Sequence, residues 1–265
     1  MKRNLPKQSL VIIGETEHGQ EDLPCGMIIL LSGPRAAFLP RKGKRDMEKV
    51  SVEKSIHSRK ISHPNWIYDA LGLAWKLFVY PKYHVHYNFK EDFRKIEGPF
   101  FFISNHASRL DYIFVGAPLL PLKMNFVAGY NEFHRSHLSK VFELLRVIPK
   151  KNFTPDRYTI KEISRVIKSG HGVCIFPEGT RSKNGNQMGE FHGGSFRCAI
   201  KAKCPVVPIA FIDCFKVLDQ KGSKPITCQL HFLKPIPYEE YAGMKTNELA
   251  NLVQSRIEDV LKANR

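Results

Sequence analysis

His106 and Asp111, five residues apart in Asn105-His106-Ala107-Ser108-Arg109-Leu110-Asp111, are a base and a carboxylate close enough to work together. A free imidazole titrates near pH ~6.5. A carboxylate accepting from one ring nitrogen stabilises the imidazolium that forms when the other nitrogen takes a proton. On one continuous helix, residues five apart are turned from each other by roughly 140° at 3.6 residues per turn, so they cannot share a face. The pair meets only if a turn intervenes. If Asp111 opens an apolar helix running to Leu120, the loop before it can fold His106 back over the carboxylate. A surface polar pair is the commoner outcome of such spacing, and Asp111 would also serve as an N-cap ahead of Tyr112-Ile113-Phe114-Val115. A metal site is a weaker reading: His-x4-Asp lacks the spacing of the common zinc sites, and no second His or Cys cluster supplies a third ligand.

A second chemical run, Phe176-Pro177-Glu178-Gly179-Thr180-Arg181-Ser182, follows about seventy residues later. Gly172 to Phe176 reads as a short buried strand, which Pro177 ends by withholding a backbone donor. The loop beyond it holds a permissive glycine, a hydroxyl and a guanidinium. Its amides and the Arg181 fork suit a phosphate, although a Gly-Thr turn with a surface arginine is common in loops of no function. Together the two runs describe a transfer onto the hydroxyl of a phosphorylated alcohol.

In this order the runs resemble the glycerolipid acyltransferases of the 1-acylglycerol-3-phosphate (lysophosphatidate) acyltransferase family. Two further blocks carry the resemblance: Asn125-Phe126-Val127-Ala128-Gly129-Tyr130-Asn131-Glu132-Phe133 through Arg146-Val147-Ile148-Pro149-Lys150-Lys151, and Cys204-Pro205-Val206-Val207-Pro208-Ile209-Ala210. The likeness spans roughly residues 65 to 238. It implies His106 as the base that deprotonates the acceptor hydroxyl and Asp111 as its orienting partner. It further implies Glu178, Gly179, Thr180 and Arg181 as ligands of the acceptor's glycerol phosphate. The acyl group would pass directly from a thioester, acyl-CoA or acyl-carrier protein, to a lysophospholipid, with no cofactor, no metal and no covalent enzyme intermediate. The implied acceptor is 1-acylglycerol-3-phosphate, giving phosphatidate; glycerol 3-phosphate or a lyso-aminolipid would take the same chemistry.

The residues agree with direct transfer. Ser104 and Ser108 flank His106 outside any Gly-x-Ser-x-Gly elbow, and Cys174 lies mid-strand, where thiols are usually inert. Two places depart from the family pattern. Where the middle block usually carries an arginine, this chain has Pro149-Lys150-Lys151, which keeps charge but loses the bidentate fork, so Lys150 and Lys151 are expected to help hold phosphate. Where the family usually reads Phe-Lys-x-Gly, the chain has Phe191-His192-Gly193-Gly194.

The positioning elements follow from periodicity. Short apolar runs at 83–88, 100–104, 125–128, 173–176, 206–211 and 229–233 read as strands, with helical patterns between most of them. The clearest helix follows Phe153, with Thr154 as cap, Pro155 in the first turn, an apolar face of Ile160, Ile163, Val166 and Ile167, and Gly170 as the stop. Leu249, Leu252, Val253, Ile257, Val260 and Leu261 give another at the C-terminus. The expected class is α/β: a largely parallel mixed sheet flanked by helices, functional loops at strand ends, and an interfacial helix before it. Residues 61–265 are read as the acyltransferase domain; residues 1–60 are a basic extension, disordered or outside the family.

The chain has 265 residues, 43% of them hydrophobic, enough for one sizeable core. Its six cysteines make no C-x-x-C pair, as expected of reduced thiols in a cytosol-facing protein. A net charge of +16 requires an anionic partner. Of the non-catalytic alternatives, a nucleic-acid-binding protein is disfavoured because basic residues are not interleaved with aromatics and no DNA-binding motif is present, and a lipid-binding one because His106 and Asp111 are intact. Both tryptophans, Trp66 and Trp75, fall in the apolar stretch 65–80, which Asp69 and Lys76 interrupt. That stretch is too short and too charged to span a bilayer, so it reads as a membrane-interface helix, a buried core helix being the alternative. Ahead of it lie Arg41-Lys42-Gly43-Lys44-Arg45, Lys49, Lys54, Arg59 and Lys60, attracted to an anionic leaflet by roughly 1 kcal/mol per residue near the surface. Met27 to Leu31 is too short for a span or a signal core. The expected location is the cytoplasmic face of a membrane, peripheral or monotopic.

Overall fold

Unbroken apolar runs such as Phe101–Ser104 and Val206–Ile212 need cover on both faces, which a strand receives inside a sheet flanked by helices. The computed structural model of the chain builds that sheet. It describes residues 27–28, 39–40, 65–79, 83–92, 98–120, 122–133, 142, 145–151, 156–182, 185–219 and 226–264. The chain divides into two units, Met1–Ser55 and Ile56–Arg265. In the first, Met27–Ile28 pairs antiparallel with Leu39–Pro40.

The second unit holds seven strands: β1 (Tyr83–Phe89), β2 (Phe101–Ser104), β3 (Met124–Gly129), β4 (Ile148–Lys150), β5 (Gly172–Ile175), β6 (Val206–Ile212) and β7 (Ile226–Phe232). Their spatial order is β1-β7-β6-β2-β5-β3-β4. Only β6 and β7 pair antiparallel, so β2 to β6 point one way and β1 with β7 the other. The longer helices are α1 (Asn65–Ala74), which continues as a π-helical turn Trp75–Val79, then α2 (Asp111–Gly116), α3 (Arg157–Lys168), α4 (Phe196–Ala202) and α5 (Thr246–Ala263). Side chains alternate across β2. Phe101 and Ile103 join a core layer with Ile163 and Val166 of α3, Ala199 of α4, and Val253 and Ile257 of α5. Phe102 turns to the other face, edge-on to Phe232. The architecture is therefore the mixed, largely parallel α/β sheet that the alternating runs predict.

Four local differences have physical causes. β4 is not among the strands that the apolar runs predict; it is three residues long with Pro149 in its middle, which an edge strand tolerates since it needs only one ladder. Thr154 and Pro155 lie outside the described residues, and the N-cap of α3 is Asp156, whose side chain accepts from the Thr159 amide. Gly170 closes that helix at φ +78°. The helix from Asp111 ends at Gly116 instead of Leu120, because Pro118 withholds the donor another turn would need. Nor does Asp111 cap it: Leu110 is the N-cap residue and makes no side-chain cap bond.

The stretch expected to be interfacial has two unlike faces. Trp75 is buried edge-on against Phe114 of α2, Gly72 abuts Leu120, and Asp69 pairs with Lys123. The opposite stripe, Trp66, Ala70, Leu73 and Leu77, is exposed at helical spacing, with Trp66 67% and Leu77 60% accessible. The two tryptophans thus separate, Trp75 into the core and Trp66 outward. Among the described residues, no helix is long and apolar enough to cross a membrane.

Candidate active site

β6, β2 and β5 lie side by side and parallel, so the loops leaving their carboxyl ends gather on one edge of the sheet. Asn105 begins the loop after β2. Its carboxamide acts as one more rung: Nδ2 donates to the Phe211 carbonyl at 3.1 Å, and the Phe211 amide donates to Oδ1 at 2.8 Å. Ser104 Oγ donates to the Ile209 carbonyl, anchoring the same strand end. The loop then doubles back over α2, as the five-residue spacing requires.

His106 Nδ1 lies 2.8 Å from Asp111 Oδ2. That oxygen also accepts from the amides of Ala107 (2.7 Å) and Ser108 (2.9 Å), which offsets in part the burial of a carboxylate whose other oxygen, Oδ1, makes no hydrogen bond among the described residues. An ionised carboxylate only accepts, so Nδ1 carries the hydrogen and Nε2 has the lone pair. The imidazole is 13% accessible, stacked on Phe176 at 4.5 Å between ring centroids and edge-on to Tyr112. Tyr112 also packs edge-on against Phe126, Phe142 and Phe176, forming an aromatic wall beside the base. Burial, then the Asp111 charge, pushes the Tyr112 phenol up, so it is a hydrogen-bonding group and not a base at neutral pH; Arg181 acts in the opposite direction.

The loop after β5 grips the base directly. The His106 amide donates to Glu178 Oε1 at 2.7 Å, and the Ser182 amide donates to the His106 carbonyl at 2.8 Å. Glu178 Oε2 accepts from Gly189 at 2.8 Å. Burial raises the Glu178 pKa, while the Gly189 and His106 amides pull it back. Gly179 takes φ +69°, a conformation that side chains rarely adopt, and lies near His192. Gly179, Thr180 and Arg181 are exposed. The structure thus brings His106, Asp111, Glu178, Gly179, Thr180 and Arg181 together, but Glu178 is buried and turned toward backbone.

The two lysines are placed differently. Lys150 ends β4 and donates from Nζ to Ser195 Oγ at 3.1 Å; burial lowers its pKa. Lys151 is exposed, with its amide on Asp156 Oδ2. β4 is three strands from β2 in the sheet, so Lys150 lies on the same carboxyl edge but three strands away from the loop that bears His106.

Cys174, Ser104 and Ser108 do not compete with the imidazole as nucleophiles. Burial pushes the Cys174 thiol well above its ordinary pKa, which leaves it protonated, and Ser104 and Ser108 are buried. Sequence reasoning missed the structural use of Asn105 and the part of Gly189. Partners as distant as Phe211 leave no local signal. Gly189 leaves none either, since its need to be glycine shows only in the fold: a Cβ there would stand 3.0 Å from Glu178 Oε2.

The chain is similar to known proteins. A sequence model of the Acyltransferase family matches residues 84–212. A chloroplastic 1-acyl-sn-glycerol-3-phosphate acyltransferase of Arabidopsis thaliana is 30% identical over 183 residues, 68% of this chain and 49% of that protein. A Brassica napus enzyme of the same description is 31% identical over 53% of this chain and 40% of its own length. A Saccharomyces cerevisiae 1-acyl-sn-glycerol-3-phosphate acyltransferase is 29% identical over 62% of this chain and 56% of that protein. The chain thus spans about half the length of these curated relatives. The crystal structure of the 1-acyl-sn-glycerophosphate acyltransferase of Thermotoga maritima superposes with a TM-score of 0.58 at 17% identity, covering 82% of this chain and 88% of the other, a likeness of fold.

Proposed function

We propose that this chain, which belongs to the acyltransferase family, moves an acyl group from a thioester, acyl-CoA or acyl-carrier protein, to the free hydroxyl of a lysophospholipid, most simply 1-acylglycerol-3-phosphate giving phosphatidate. The observation that carries this reading is the His106–Asp111 pair held by backbone bonds to the loop that bears Arg181. Nε2 takes the hydroxyl proton as the oxygen attacks the thioester carbonyl. The tetrahedral intermediate then expels the thiolate, which receives the proton from the imidazolium, returning His106 to its starting state. Asp111 favours the intermediate imidazolium and fixes the tautomer that leaves Nε2 basic. Arg181 and the amides around Gly179 face the acceptor phosphate, with Lys150 and Lys151 as further cations.

The lipid acceptor is met at a membrane surface. The exposed stripe of Trp66, Ala70, Leu73 and Leu77 is shaped to enter the headgroup region. Its other face packs through Trp75 on α2, the helix that begins at Asp111, so the stripe lies on an element joined to the base. The net charge of +16 favours an anionic leaflet, and the cytoplasmic one is proposed.

The test is transfer of labelled acyl groups by the purified protein to a panel of lysophosphatidate, glycerol 3-phosphate and phosphate-free lyso-lipids. Since general-base catalysis is worth about 10²–10⁴-fold, His106→Ala removes that much turnover with the fold intact, and Asp111→Asn removes less. Near-normal turnover by His106→Ala would overturn the mechanism. Strong transfer to phosphate-free acceptors alone would move the assignment to another lyso-lipid.

A further inference from the structure

We propose that Glu178 is a positioning residue for the base and not a ligand of the acceptor: its carboxylate and the Ser182 amide clamp the two backbone groups of His106. This rests on the acyl-transfer reading and gives its second loop a task besides phosphate binding. The His106 N–H points into Glu178 Oε1 at 2.7 Å, while the His106 carbonyl receives the Ser182 amide at 2.8 Å. Both jaws belong to the loop that carries Arg181, so whatever orders that loop also fixes the base. The carboxylate's other oxygen is held by the Gly189 amide at 2.8 Å, and the residue is 6% accessible. A buried carboxylate committed to two backbone donors has no role beside a phosphate, whose charge it would repel. Charge-assisted bonds of this length are the strong class, suited to holding a loop with no regular ladder of its own.

Gly189 gives an independent handle. A methyl group there would stand 3.0 Å from Glu178 Oε2, so Gly189→Ala pushes the carboxylate without altering its charge. Glu178→Gln instead keeps the shape but leaves one amide facing an NH2 group that cannot accept from it. Displacing a reacting group by about 1 Å costs on the order of 10²-fold. Glu178→Gln is therefore expected to lose kcat by up to that order, and Gly189→Ala, which needs a shift of only tenths of an ångström, by less, each with the acceptor KM little changed, the pattern of an interaction felt in the transition state.

The deciding experiment pairs this kinetic split with amide hydrogen exchange on the full chain, following peptides over 105–111 and 185–190. Faster exchange there in Glu178→Gln and Gly189→Ala, together with a fall in kcat, supports the clamp. A raised acceptor KM at preserved kcat would make Glu178 a substrate ligand and overturn it, as would unchanged exchange. If Glu178→Gln fails to fold, Gly189→Ala carries the same two readouts. A wild-type protein that acylates no lyso-acceptor would defeat the acyl-transfer reading instead, while exchange would still decide the clamp.

Discussion

Arg181 and Lys150 are both cationic, yet their surroundings give them different behaviour. Arg181 is exposed beside a glycine turn, where a guanidinium can offer two parallel donors to one phosphate. Arg181→Lys keeps the charge and loses that fork, so the KM for a phosphate acceptor should rise about tenfold or more while the donor's moves little. Equal losses on phosphate-bearing and phosphate-free acceptors would mean that Arg181 serves the loop or the donor. Lys150 is half-buried, and desolvation lowers its pKa. A folded pKa below the unfolded one means that the buried charge opposes folding at neutral pH, and that this penalty starts to shrink as pH rises past the folded value and is gone above the unfolded one. Phosphate binding has the opposite sign, because the charge it uses is lost over the same interval. The acceptor KM is therefore expected to climb on the alkaline side, below the ordinary lysine range, and Lys150→Met should flatten the climb. A wild-type KM that stays level through that interval would remove Lys150 from the phosphate site.

At the scale of elements, much was legible where a single strand or helix determines its own pattern. The buried runs of β2, β5 and β6 and the stripe Ile163, Val166 and Ile167 of α3 are set by local periodicity, so the sheet and its covering helices could be read directly. Helical geometry made legible that a turn must intervene if His106 and Asp111 meet, whereas that they do meet was implied only by the family resemblance. What could not be read depends on partners distant in sequence: Pro149 is acceptable only because β4 is an edge, and Trp75 is buried only because Phe114 meets it. Asp156 belongs to the same class. Its carboxylate accepts from the Thr159 amide at 2.7 Å and from the Lys151 amide at 3.1 Å, tying the start of α3 to the end of β4. Asp156→Ala should cost about 0.5–2 kcal/mol, hence lower Tm by about 2–4 °C per kcal/mol in a protein of this size. It should also loosen Lys150. A thermal scan read alongside the acceptor KM separates the two effects, and an unchanged Tm would show that the cap contributes nothing.

For the whole molecule the question is how a protein of net charge +16 and an outward apolar stripe divides its affinity for a lipid surface between the two. The electrostatic part acts over the Debye length, about 10 Å at 0.1 M salt and about 3 Å at 1 M, so added salt removes most of it. The apolar part is not screened. Burying Trp66, Leu73 and Leu77 is worth roughly 1.5–3 kcal/mol for each large side chain that enters fully. Binding to anionic vesicles should therefore weaken with salt to a plateau above zero. On neutral vesicles it should begin near that plateau. Replacing Trp66, Leu73 and Leu77 with polar residues should abolish the plateau while leaving the salt-sensitive part, and circular dichroism should be unchanged because all three are exposed. The same replacement at Trp75, buried against Phe114, is expected to destabilise the fold instead. Complete release of the wild-type protein by salt would mean that charge alone holds it at the surface, and the stripe would then have to meet something other than lipid.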